Sequence, residues 1–137
     1  MSVQTAPVTS STIVVAVDVG KTSAMVSVTD DARQRLMSPV EFPMTRSGLG
    51  AATERVLAVA PSGSQFKVGV EAAGHYHRPV VDYRWPPDWK VVELNPAHVA
   101  EQRRVMGRRR VKTDGIDLEA ITELMLAGRG RVIGQRE

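Results

Sequence analysis

The stretch TIVVAVDVGKTSAMVSVTD, residues 12–30, decides the fold. Its first half, TIVVAVDVG, is a run of β-branched residues closed by glycine. Such a run reads as a strand buried on both faces. GKT turns the chain, and SAMVSVTD follows with rough alternation, as the returning strand of a hairpin. The charged residue near the end of the first strand is Asp18. DVGKT also invites a phosphate-loop reading. That motif needs glycine five positions before Gly20, where the chain has Val15, and it must open a helix rather than a second strand.

Working outward, RLMSPVEFPM (residues 35–44) reads as a third strand, placed at an edge by Pro39 and Pro43. SGLGAATERVLAVA follows as a helix capped by Ser47, with Leu49, Ala52, Val56 and Val59 on one stripe. FKVGVEA is a short strand ending at Glu71, and GHYHRPVVDYR holds a short helix or an irregular turn. WKVVEL is a fifth strand. NPAHVAEQRRVMG starts a helix with Asn95 as cap and Pro96 in its first turn. TDGIDLEAITELMLAG makes a last helix between Thr113 as cap and Gly128 as stop; Gly115 argues for a late start. Three hairpin-linked strands followed by alternating elements predict a mixed, five-stranded α/β sheet flanked by helices. The boundaries are a loose tail at 1–11, one domain at 12–128 and a C-terminal tail at 129–137.

The chain has 137 residues, enough for one domain with a core, and a formal net charge of +3. The charge is unevenly spread. Arg103, Arg104, Arg108, Arg109, Arg110 and Lys112 form a basic run with no acid among them. Such a run suits a polyanion, although it also serves as a solvated face. The absence of cysteine excludes disulfides and thiolate metal sites and fits a reducing cytoplasm. No apolar run has the length of a membrane span, and the first residues lack the pattern of a signal peptide.

Just after the basic run come Asp114 and Asp117. On a helix they lie about 60° apart, and Asp117 shares a stripe with Ile121 and Leu124. Each acid alone has a plain explanation. Acids favour a first helical turn, and a strand end is solvated. Together, Asp18 and Glu71 at two strand ends and Asp114 and Asp117 at a helix start can converge, if the two strands are neighbours. Four carboxylates stay ionised together only beside cations. Oxygen donors suit hard divalent ions such as Mg²⁺, and two ions roughly 4 Å apart support phosphodiester cleavage. The arginines would then hold the phosphates. His75 and His77 read as polar surface or substrate contacts rather than metal ligands. Trp85 and Trp89 read as packing for the PPD turn, with base stacking as the other role.

Four motifs carry a resemblance. VDVGKT, VGVEAAGHYHRPVV, VVELNPAHV and RRVKTDGIDLEAI, in that order, resemble the N-terminal domain of the IS110-family (IS110/IS1111) transposases, over about residues 13 to 126. The resemblance implies an RNase H-like (RuvC-like) fold and a DEDD tetrad, here Asp18, Glu71, Asp114 and Asp117, acting as catalytic residues and as ligands to Mg²⁺ or Mn²⁺. It implies DNA strand cleavage or transfer in transposition of an insertion sequence, with Lys21 and the basic run Arg103 to Lys112 on nucleic acid. It also implies a structured guide RNA from the element, a homo-oligomeric full-length protein and a bacterial cytoplasmic, nucleoid-associated location. Family members carry a further domain with a nucleophilic serine, so the chain is expected to be an excised domain or a truncated transposase. The alternatives are a Holliday-junction resolvase-like nuclease and a non-catalytic nucleic-acid-binding fragment. An actin-like phosphate-binding fold would need a second, similar half, and no segment repeats the first.

Overall fold

The computed structural model describes residues 11–107 and 115–133. The opening hairpin forms as read: β1 (Thr12–Val19) pairs antiparallel with β2 (Ser23–Asp30), with Asp18 opposite Met25. β3 (Arg35–Pro43) adds to β2 at the sheet edge, which tolerates its prolines. The chain then crosses through α1 (Arg46–Val59) to β4 (Gln65–Glu71), which lies parallel to β1 on its other side. α2 (Arg78–Asp82) leads to β5 (Lys90–Leu94), parallel to β4. α3 (Pro96–Gly107) and α4 (Ile116–Leu126) follow.

Among the described residues the sheet has six strands rather than five, in the order β3-β2-β1-β4-β5-β6. The addition is β6 (Arg131–Val132), which pairs antiparallel with β5 inside the segment read as a tail. Two residues are too few to give a periodic signal, so pairing with β5 decides the strand, not local pattern.

β1 is central and buried on both sides. Ile13, Val15 and Val17 face one core with Leu49, Ala52 and Val56 of α1, Val80 of α2, and Val68 and Val70 of β4. Val14 and Ala16 face the other, with Val99 of α3 and Leu118, Ile121, Leu124 and Met125 of α4. Each fully buried valine or leucine contributes about 1.5–3 kcal/mol. This two-sided burial is why β1 reads as an unbroken apolar run rather than an alternating one.

The helix boundaries refine the reading. Thr45, not Ser47, caps α1: its backbone is extended and its Oγ1 accepts from the Gly48 N–H at 3.0 Å. Ser47 falls inside the first turn. Asn95 caps α3 as expected, its Oδ1 accepting from the Ala97 N–H at 2.8 Å. α4 starts late, at Ile116, because Gly115 has φ +98°, outside the helical region. The expected cap Thr113 lies outside the described residues. At its far end the Gly128 and Arg129 N–H groups donate back to the Met125 and Leu124 carbonyls, which closes α4.

Gly48 is where α1 crosses the end of β3. A Cβ there would lie 2.0 Å from the Pro43 carbonyl oxygen, so only glycine allows this approach. Gly48→Ala is expected to cost about 2–3 kcal/mol, at the upper end for overpacking, because backbone must move. Urea denaturation of the two proteins side by side checks this; an unchanged midpoint would contradict the packing described.

Candidate functional site

The register brings two of the predicted acids together. Val17 pairs with Val70, so the next residues, Asp18 and Glu71, leave the sheet side by side at the ends of parallel strands. Both lie on the α4 side. Asp18 continues the row of Val14 and Ala16, and Glu71 continues that of Gly69, which lies against Met125. Asp117, in the first turn of α4, completes the group, with its carboxyl in hydrogen-bonding reach of that of Asp18.

The electrostatics follow from this proximity. The Asp18 carboxyl is pushed up from 3.8 to about 6, first by burial, then by the negative charges of Asp117 and Glu71. Arg103 opposes the shift, and the hydrogen bond to Asp117 adds to it. Glu71 is also raised, mainly by burial, with Arg103 acting against it and Asp117 with it. Among the described residues Arg103 is the cation of the group: its Nη1 lies 3.1 Å from Asp117 Oδ1 and 3.9 Å from Glu71 Oε1. It bridges a strand end and a helix start.

The basic residues divide. Arg103 turns inward to the acids. Arg104, its neighbour, is exposed and pairs with Glu101 on α3. Lys21 is exposed in the turn after β1, three residues beyond Asp18. Asp114, Arg108, Arg109, Arg110 and Lys112 lie outside the described residues.

Two features were not legible as such. Arg103 read as a phosphate contact, yet it follows the fully buried Val99 by one helical turn, on the same face of α3, and that spacing marks it as inward-facing. His77 read as surface but is buried. Its Nδ1 accepts from the Ala73 N–H at 3.2 Å, which leaves Nε2 to donate to Glu93 Oε2 at 2.9 Å. Arg131 of β6 donates to the other Glu93 oxygen at 2.9 Å. Glu93 is held below its ordinary value, mainly by that Arg131 hydrogen bond. This chain of contacts ties the turn after Glu71 to β5 and β6. Trp85 and Trp89, on either side of the PPD turn, are buried and stack on one another.

The donor chemistry fits a hard divalent cation: oxygen-only ligands, mutually repelling, with a positive side chain already drawn among them. Among the described residues, no three or more His, Asp or Glu side chains are grouped closely enough to hold a metal ion as they stand. The Arg103 guanidinium occupies the space between two of the acids. Among the described residues no helix is long and apolar enough to cross a membrane.

A mixed sheet with helices on both faces and acids at the ends of its first and fourth strands is an RNase H-like α/β domain. A family model described as a transposase, DEDD_Tnp_IS110, matches residues 15–137, and the chain belongs to that IS110-type transposase family. No curated protein matches the chain.

Proposed function

We propose that the chain supplies the acidic, metal-dependent centre with which a transposase cuts or transfers DNA strands. The observation that carries this reading is the gathering of Asp18, Glu71 and Asp117 from two strands and a helix, with the Arg103 guanidinium against Glu71 and Asp117. Acids are not brought together from distant elements for stability, because their repulsion and burial work against folding. Asp18, Glu71 and Asp117 would hold Mg²⁺ or Mn²⁺, with Asp114 as the fourth ligand that the family resemblance implies. When bound, such an ion activates water and stabilises the leaving oxygen of a phosphodiester. Lys21, exposed three residues after Asp18, and Arg104, exposed on α3, would meet backbone phosphates. Arg108, Arg109, Arg110 and Lys112 extend that basic surface in sequence. A guide RNA, assembly into oligomers and association with the nucleoid belong to the same reading.

The test is incubation of the 137-residue chain with labelled duplex, single-stranded and four-way-junction DNA in Mg²⁺, Mn²⁺ or EDTA. Cleavage that needs the divalent ion and falls at least about 100-fold in Glu71→Gln supports the proposal. Cleavage in EDTA, or cleavage indifferent to Glu71→Gln, overturns it. Cutting confined to four-way junctions would instead assign a resolvase activity. Binding without cutting on any substrate would assign a non-catalytic binding domain.

A further inference from the structure

Arg103 differs from its neighbour Arg104. Its side chain is only 35% exposed, against 66% for Arg104. Val99, one turn earlier on α3 and fully buried, fixes the face of the helix from which Arg103 projects. The contact it makes is not the two-pronged fork that arginine forms in its most durable pairs. One nitrogen, Nη1, reaches both Asp117 and Glu71, at 3.1 and 3.9 Å. By contrast, Arg33 grips Glu123 through both Nε and Nη2. Among the described residues one guanidinium faces these acids, and Asp18 stands in the same group.

We propose that Arg103 is an exchangeable counter-ion: it bridges Glu71 and Asp117 while no divalent cation is bound, and it releases both when one enters. This rests on the reading of the acids as a metal site. The oxygens Arg103 touches are among those a divalent cation would take, so cation entry and arginine release are one event. The arginine keeps the cluster assembled without metal and sets a threshold against weak cations. It is a positioning residue, acting on the reaction through the acids it holds.

The test uses the full chain and Mn²⁺ alone, followed by the loss of the free-ion electron paramagnetic resonance signal. Arg103→Gln is expected to bind Mn²⁺ about three- to tenfold tighter than the wild type, because a competing charge a few ångströms away is gone. Its melting temperature should fall in EDTA and recover with Mn²⁺, so its metal-induced gain exceeds that of the wild type. Unchanged or weaker Mn²⁺ binding in Arg103→Gln overturns the proposal and makes Arg103 a permanent strut. Asp18→Asn separates the two levels. If it leaves wild-type Mn²⁺ binding intact, the metal-site reading falls, and the exchange with it. If it abolishes binding while Arg103→Gln fails to tighten it, the exchange alone falls. A readout free of substitution comes from the Arg103 side-chain nitrogen resonance on addition of diamagnetic Mg²⁺. Exchange predicts a change in its shift and mobility, and an unaltered signal overturns it.

Discussion

Asp18→Asn is expected to disable the chain and stabilise it at once. The loss is the larger effect: DNA cleavage should fall at least about 10³-fold, a barrier increase of roughly 4 kcal/mol. Asparagine keeps the shape but removes the charge that would hold a divalent ion in the proposed site. The gain follows from the raised pKa. Between pH 4 and 6 the folded chain keeps a proton on Asp18 that the unfolded chain has already released, because the folded value is about 6 against 3.8. The native state therefore binds more protons in that window, and metal-free stability falls as pH rises through it. Above pH 6 the full cost is present; below about pH 4 it vanishes. The shift alone would correspond to about 3 kcal/mol. Asp18 keeps substantial solvent contact, so screening reduces this to about 1–2 kcal/mol. In EDTA at pH 7.5 the variant should melt a few degrees higher than the wild type, and at pH 4 the two should coincide. Thermal denaturation at both pH values checks this. A variant less stable at pH 7.5 would mean that Asp18 is held by favourable contacts rather than strained by its neighbours.

Trp89→Ala is expected to bring the chain close to unfolding. Trp89 stacks on Phe66 at 4.5 Å and on Trp85 at 5.7 Å, and Tyr83 meets Trp85 edge-on at 4.8 Å. This aromatic column lies beside the entry to β5 and closes the core on the α1 face. Emptying its centre costs about 3–5 kcal/mol, with about 1 kcal/mol more from the lost stacking. A domain of this size has only about 5–15 kcal/mol in hand. Trp89→Phe should lose far less, because it keeps a ring in the column. Urea denaturation of both variants tests the ranking. A loss below about 1 kcal/mol in Trp89→Ala would show that the column is not a unit of the core.

What the sequence reveals depends on whether the cause is local. β1 is legible because burial on both faces imposes an unbroken apolar run, and the opening hairpin because glycine and polarity mark its turn. The strand-end positions of Asp18 and Glu71 are also local, but their adjacency needs β1 beside β4, which only topology provides. The cap of α1 is misread by two residues because Thr45 and Ser47 are both competent; the crossing at Gly48 and Pro43 decides between them. β6 exists through its partner rather than its own composition. The burial of His77 is invisible for a similar reason, since its partner Glu93 lies on another strand. Arg103 is the instructive case. A basic run suggests a surface, and only the turn of helix from Val99 shows that one member points in.

The acids come from the first strand, the fourth strand and the last helix, and that order has a consequence in time. During synthesis the ribosome releases Asp18 first and Asp117 late. β1 cannot find β4 until the hairpin, β3 and α1 have all emerged. A chain that ends before α3 therefore has Asp18 and Glu71 but neither Arg103 nor Asp117. The acidic group is therefore assembled only after α4, the last of the three contributing elements, has been made.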